Sequence, residues 1–246
     1  MLLRVTVRSF TVLVLAAVWL APAVLADLKE DISEATRGFR DLTGTVVNVY
    51  ANTRELQKID KNFGQSYEFE KAKVTFKHPD KFRMEGYLGL VRIVYITSGY
   101  NRIVRIPAIN RTKRENLRDE SGKAQTCLDI GIVTDGLWLY YTVKPEDTEQ
   151  TDSGPVIVLH LTRSGDPRLT ERIWLDGKTF KLLKREKYEE GGDLKARFIY
   201  KNHRNVGDVL WAPSRVESYS PAGVLVAATE FRDIKVNNNV ADSEFR

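Results

Sequence analysis

Residues 76–86 read F-K-H-P-D-K-F-R-M-E-G, and this stretch decides the fold. It has the form of one strand end, a tight turn and the start of the next strand. Pro79 fixes φ and cannot donate to a ladder, and Asp80 has the side chain to close a local turn. Beyond the turn, Phe82 and Met84 fall on one phase while Lys81, Arg83 and Glu85 fall on the other. Such alternation marks a strand with one apolar face.

Working outward, the period stays near two over most of the chain after residue 43. Strands are expected at 45–51, 67–77, 81–87, 91–97, 103–106, 130–134, 137–143, 155–161, 171–176, 182–189, 194–201, 214–220 and 224–236. In 67–77 the apolar phase slips near Glu70 and Lys71, which predicts a bulge. Asp135-Gly136 between β-prone runs predicts a two-residue hairpin. The charged stretch 110–125 predicts a mobile, solvated loop. Ten or more antiparallel strands exceed what an open twisted sheet holds without curling. The fold class expected is therefore mainly β with a few helices: a strongly curved antiparallel sheet forming an unclosed barrel.

Toward the N-terminus, Arg4 and Arg8 precede an apolar run from Phe10 to Leu20, and Val24-Leu25-Ala26 carries small residues at −3 and −1. This pattern predicts an export signal over 1–26, cleaved after Ala26, and a single domain over 27–246. A retained N-terminal anchor is the alternative. No cysteine follows the cleavage site, so lipidation there is not expected. A helix is predicted over 27–40, with Leu28, Ile32, Ala35 and Phe39 on one face. It is suited to serve as a lid over the open side of the sheet.

Composition narrows the function classes. The 246-residue chain has 38 Lys+Arg, 33 Asp+Glu and a formal charge of +5. The signal removes two arginines and no acids, which leaves a weakly basic, well mixed chain with no call for nucleic acid. The one cysteine, Cys127, forms no internal disulfide and reads as a small apolar filler. His78, His160 and His203 show no metal-ligand or triad spacing, so no metal or cofactor is expected. Acid pairs such as Glu189-Glu190 and Asp119-Glu120 fall in turns, and no serine has nucleophile-elbow spacing, so no catalytic residue is assigned. Asn110-Arg111-Thr112 is a short sequon that matters only in a eukaryotic secretory pathway.

What remains is apolar surface on alternating strand positions, more than one short helix can cover. The residues expected to line a hydrophobic cavity are Val47, Val49, Phe69, Val74, Phe76, Phe82, Met84, Ile93, Trp138, Tyr140, Trp174, Phe198 and Phe231. Leu28, Ile32 and Phe39 are expected to face them from the lid.

Several segments in order resemble one family. They are G-T-V-V-N-V-Y (44–50), K-V-T-F-K-H-P-D-K-F-R-M-E (73–85), T-D-G-L-W-L-Y (134–140), W-L-D-G-K-T-F-K-L-L-K-R-E (174–186), W-A-P-S-R-V-E (211–217), S-P-A-G (220–223) and F-R-D-I-K-V-N (231–237). Together they resemble the LolA-like outer-membrane lipoprotein carrier and sorting proteins of Gram-negative bacteria. Each motif is soft alone; their order, across nearly all of the mature chain, carries the resemblance. It implies an unclosed barrel with a helical lid and a hydrophobic cavity, without enzymatic activity. It further implies a monomeric periplasmic carrier of lipoprotein acyl chains or another lipid. Such a carrier is loaded by an inner-membrane ABC release complex and unloaded at an outer-membrane receptor. The family's arginine before the turn proline, which latches the lid, is replaced by His78 here. The rival reading is an envelope sensor or general lipid-binding protein on the same scaffold that binds a membrane-protein partner. Sensor relatives carry a further C-terminal domain, whereas this chain ends soon after Asn237.

Overall fold

The computed structural model describes residues 21–60, 64, 67–146 and 148–246, with backbone alone for 21–26, 121 and 123. The apolar run of the expected export signal lies outside the described residues.

The first element, α1 (Ala21–Ala35), starts before the expected cleavage point and stops short of residue 40. It ends where the Thr36 hydroxyl donates to the Ile32 carbonyl and the Phe39 N–H donates to the Thr36 carbonyl. Phe39 therefore sits in the exit turn, not in the helix. After β1 (Asp41–Ala51) comes a helix not expected from the sequence, α2 (Thr53–Ile59). Asn52 caps it by accepting the Glu55 N–H at 3.2 Å, and Leu56 packs under it against Val226 and Ala227. An asparagine three residues before a glutamate is a helix-start signal.

The chain then meanders through β2 (Lys71–Lys77), β3 (Lys81–Leu88), β4 (Val91–Ser98), β5 (Asn101–Ile106) and β6 (Arg111–Asn116). A connecting segment passes through a short helix, α3 (Leu137–Tyr140), into β7 (Tyr141–Pro145), β8 (Glu149–Thr151), β9 (Gly154–Arg163), β10 (Thr170–Asp176), β11 (Leu182–Tyr188) and β12 (Leu194–Lys201). A small hairpin, β13 (Arg204–Val206) with β14 (Leu210–Ala212), precedes β15 (Arg215–Tyr219) and β16 (Leu225–Val236). The 14-stranded sheet runs β6-β5-β4-β3-β2-β1-β16-β15-β12-β11-β10-β9-β7, with β8 on β9. Its edges, β6 and β7, are not paired with each other, so the barrel is unclosed as expected.

Three local expectations are corrected. Residues 67–70 are not strand: Asn48 Nδ2 donates to the Tyr67 and Phe69 carbonyls and the Asn48 N–H to Glu70, so a side chain takes the place of the ladder. Register shifts lie instead in the pairing of β1 with β16, and also between β10 and β11, β11 and β12, and β15 and β16. The Asp135-Gly136 hairpin does not form. Gly136 has φ −56° and ψ −16°, the right-handed helical region, whereas the tight hairpin turn needs positive φ. Thr134 holds it there by accepting the Gly136 N–H on its hydroxyl and the Leu137 N–H on its carbonyl. Finally, 110–125 is ordered, since β6 pairs residue by residue with β5 and Leu117 is fully buried.

The core lies on the inner face of the sheet, the face that α1 and the segment 117–140 cover. A second, smaller cluster lies on the outer face of β4 and β5. There Phe245, from the C-terminal segment, packs on Val94, Ile96 and Ile103. Among the described residues no helix is long and apolar enough to cross a membrane.

Gly86 fixes one close approach on the inner side. A Cβ there would stand 2.7 Å from Phe69 Cδ1, 2.9 Å from the Lys71 carbonyl oxygen and 3.0 Å from Ala72 Cβ. Gly86→Ala is expected to cost about 1–3 kcal/mol by overpacking against a main-chain atom that cannot turn aside. Urea unfolding checks it: the midpoint should fall with an unchanged slope.

Candidate functional site

The inner face gathers most of the residues expected to line a cavity. β2 contributes Val74 and Phe76, β3 Phe82 and Met84, β12 Phe198, and β16 Phe231. Tyr140 is buried among them, and Trp138 packs against the same cluster from α3 with the Lys29 ammonium 6.0 Å from its ring centre. Phe69 is buried over Gly86, and Ile93 is half-buried opposite the same glycine. Leu28 and Ile32 enter the cluster from α1, and Phe39 joins it from the exit turn.

Three of the expected residues lie elsewhere. In β1 the inward residue is Val46, in register with Ala72 and Phe231; Val47 stands beside Lys71 and Glu230, and Val49 is 42% exposed. Both phases of β1 carry valine, so apolarity does not decide between them. Trp174 belongs to the outer face with Val156 and Val158. Its Nε1 donates to Glu149 of β8, and the Lys184 ammonium sits 3.4 Å from its ring centre.

The interior is packed rather than hollow. Leu128, Ile132 and Leu137 of the covering segment and Ile32 of α1 are buried completely or nearly so, and they occupy the space in which an open cavity was expected. Two depressions, of about 450 Å³ and 340 Å³, are wide open to solvent and carry charged side chains in their walls, Lys71, Lys73 and Glu85 in one and Glu55, Lys58 and Lys195 in the other. Neither suits an acyl chain.

Apolar surface remains accessible on the inner face toward the free edge. The register puts Met84, Tyr95 and Val104 in one row across β3–β5, with Leu88 and Val91 opposite each other further out. Leu88, Ile93, Val104 and Ile106 are half-buried, and Val91 is 41% exposed. This strip joins the closed core to solvent. Of it, the sequence pointed only to Met84 and Ile93; the even spacing of V-R-I-V-Y in β4 and I-V-R-I in β5 holds the rest of the signal.

His78 lies where the two covers meet. Its main-chain N–H donates to the Arg40 carbonyl at 2.9 Å, and its ring meets Phe39 edge-on at 6.4 Å. Its Nε2 is 3.4 Å from Asp135 Oδ1, both side chains being partly exposed. His78 thus touches the exit turn of α1 and the segment before α3.

The inner face also holds a charged network that apolar periodicity concealed. Arg185 Nε and Nη2 donate to Glu171 at 2.5 and 2.9 Å, and Arg185 Nη1 donates to Asp129 at 2.9 Å. Arg163 donates to the Tyr141 hydroxyl and to the Ala124 carbonyl, and Tyr141 donates to Glu171. Burial acts to raise the Glu171 carboxyl, but the Arg185 and Lys187 charges outweigh it and the net shift is downward. Desolvation acts the same way on Asp129; Arg185, Lys187 and the Thr126 N–H outweigh it and bring the carboxyl to about 2. Two carboxylates face two guanidiniums, and the bonds run from the sheet to Ala124 and Asp129. The arrangement pins the covering segment onto β9, through Arg163, and β11, through Arg185. Burial pushes the Cys127 thiol up to about 11, which makes it a poor nucleophile. Among the described residues no three His, Cys, Asp or Glu side chains group as metal ligands.

No protein-family model and no curated protein sequence matches the chain. Solved structures match it across almost its whole length. A Vibrio parahaemolyticus domain described as outer membrane lipoprotein-sorting aligns with TM-score 0.63 at 14% identity, covering 89% of this chain and 95% of that one. A DUF1329 family protein from Desulfovibrio piger aligns with TM-score 0.62 at 11% identity, covering 91% and 96%. A LolA superfamily protein from Nitrosomonas europaea aligns with TM-score 0.62 at 17% identity, covering 89% and 97%. At these identities the likeness is one of fold.

Proposed function

We propose that this chain, which has the LolA-like fold, is a non-enzymatic carrier that holds lipoprotein acyl chains, or another lipid, against the inner face of its half-barrel. On this reading it works in the periplasm after export. The observation that carries the proposal is the half-open apolar strip of β3–β5, continuous with a core that a helix covers. α1 inserts Leu28 and Ile32 into that core. Two such side chains contribute about 3–6 kcal/mol of burial. An acyl chain burying six to eight methylenes contributes about 5–6 kcal/mol. The two are close enough for a ligand to displace the cover, and for the cover to expel the ligand. A site that must both load and release needs that balance.

Mass spectrometry of organic extracts of the purified chain, with a fluorescent fatty acid as probe, tests the reading. Acyl-bearing molecules should co-purify, and Ile93→Asp should weaken probe uptake about tenfold or more, the burial of a few methylenes. Val49→Asp, at an exposed position of β1 away from the strip, should leave uptake unchanged. Absence of any co-purifying acyl compound, together with uptake insensitive to Ile93→Asp, would sink the proposal.

A further inference from the structure

The unclosed sheet has two edge strands, and the fold treats them differently. β7 is short, ends at Pro145 and lies against α1. β6 pairs with β5 without a break in register from Arg111 to Asn116, contains no proline, and leaves five of its six residues exposed. The Leu117 N–H donates to the Tyr100 carbonyl at 2.7 Å, one step beyond the last β5–β6 pair. That bond sets the phase of the ladder, since bonded and non-bonded pairs alternate in an antiparallel sheet. Arg111, Lys113 and Glu115 therefore bond to β5, while Thr112, Arg114 and Asn116 turn their N–H and C=O groups away from the sheet. Among the described residues no main chain pairs with the outward groups of Thr112 and Arg114. A free edge of this kind is a row of donors and acceptors that another strand can complete.

The charge along the edge says which strand fits. Arg111, Lys113 and Arg114 lie in one run, with Arg118 just beyond it. The one carboxylate in β6, Glu115, is shared by Arg102 and Lys113 at 2.5 and 2.6 Å. Arg111 and Arg114 have no ion pair among the described residues. Side chains alternate across the strand, so Arg114 stands on the outer face opposite Ile103, while Arg111 and Lys113 stand on the inner face opposite Ile106 and Val104. A strand laid along β6 thus meets cations on both of its faces. Charged edges guard a sheet against pairing, but the guard has a sign. A second copy of this chain brings an equally basic edge and is repelled, whereas an acidic strand is drawn in. A lipid surface or a loose polyanion satisfies the charges and leaves the main-chain groups unmet. An extended acidic peptide meets both.

We propose that the free edge of β6 binds an extended acidic segment of a partner protein. The segment adds to the sheet as a further strand on the main chain of Thr112 and Arg114, with its carboxylates against Arg111, Lys113 and Arg114. The edge stands apart from the core, so this binding does not depend on the interior accepting an acyl chain. A short labelled peptide alternating glutamate and valine, titrated into the full chain and followed by fluorescence anisotropy, tests it. Binding should saturate and weaken steeply with salt. The same peptide N-methylated on every amide keeps its charge and loses its donors, and should bind about tenfold or more weakly. Thr112→Pro removes one outward N–H that makes no bond to β5, and should weaken binding about tenfold. Arg114→Glu should weaken it about tenfold or more and flatten the salt dependence. By NMR, the Thr112 and Arg114 amides should exchange readily in the chain alone and become protected in the complex, while Lys113 and Glu115 are protected in both. If Thr112→Pro lowers the melting temperature, Arg114→Glu and the N-methylated peptide still decide the matter. Lack of saturable binding overturns the proposal. So does equal binding of the N-methylated peptide, or unprotected Thr112 and Arg114 amides in the complex, either of which marks plain charge attraction. Uptake of the fatty-acid probe by Arg114→Glu should remain normal, which separates loss of peptide binding from failure of the carrier reading.

Discussion

Replacing Arg185 with methionine is expected to destabilise the folded chain by about 3–5 kcal/mol at neutral pH, the cost of leaving a buried partner charge unpaired. The Arg185 side chain is 3% exposed and that of Glu171 11%, so neither charge has water to fall back on. Methionine fills much of the volume, and the loss therefore reports charge rather than a void. Replacing both residues, as Arg185→Met with Glu171→Leu, should recover about 1 kcal/mol or more relative to Arg185→Met alone, because the more deeply buried carboxylate, that of Glu171, is no longer left without its partner. The pH dependence has a definite sign. Glu171 and Asp129 both have lowered pKa values in the folded state, Asp129 at about 2. Their contribution is present above the ordinary carboxylate range near pH 4 and is lost as the pH falls toward 2. The gap between native chain and Arg185→Met should narrow over that interval. Urea melts at a series of pH values measure it. A gap that stays constant down to pH 2 would assign the loss to packing instead.

That network shows why some of the molecule was legible beforehand and some was not. The hairpin of β2 and β3 declared itself because its phases are chemically distinct: Val74, Phe76, Phe82 and Met84 inward, Lys73, Lys81 and Arg83 outward. In β10 the same rule places Glu171 in line with Ile173 and Leu175. A carboxylate on an aliphatic phase was the available signal, but its partner lies on the next strand and its second anchor far away at Asp129. Trp174 failed for a related reason, since what covers it is Glu149 and Lys184, contacts no local pattern announces. The packed interior was illegible too: whether apolar strand positions face a void or another segment depends on where 117–140 goes. Its Asp-Gly pair looked like a hairpin until Thr134 turned it into a helix start.

Phe76→Ala should be the costliest of the simple truncations, at about 3–5 kcal/mol. Phe76 is 1% exposed, on the central strand that opens the β2–β3 hairpin. Its ring lies parallel to Phe39, with centroids 6.0 Å apart and planes 1° apart. Phe39 is the residue through which the exit of α1 meets the sheet, so this pair ties the cover to the hairpin. Phe76→Leu keeps most of the volume and should cost less, about 1–1.5 kcal/mol, with the stack lost but the void avoided. A double-mutant cycle with Phe39→Ala isolates the tie, and a coupling of about 0.5–1.5 kcal/mol is expected for an aromatic pair in contact. If the cover opens to admit a ligand, this coupling is part of what opening must overcome, and Phe39→Ala should raise the rate of fatty-acid probe uptake. Additive losses in the cycle would mean that the hairpin and the exit of α1 are held independently. The helix could then leave the inner face without disturbing β2, and the energetic balance argued for loading and release would rest on Leu28 and Ile32 alone.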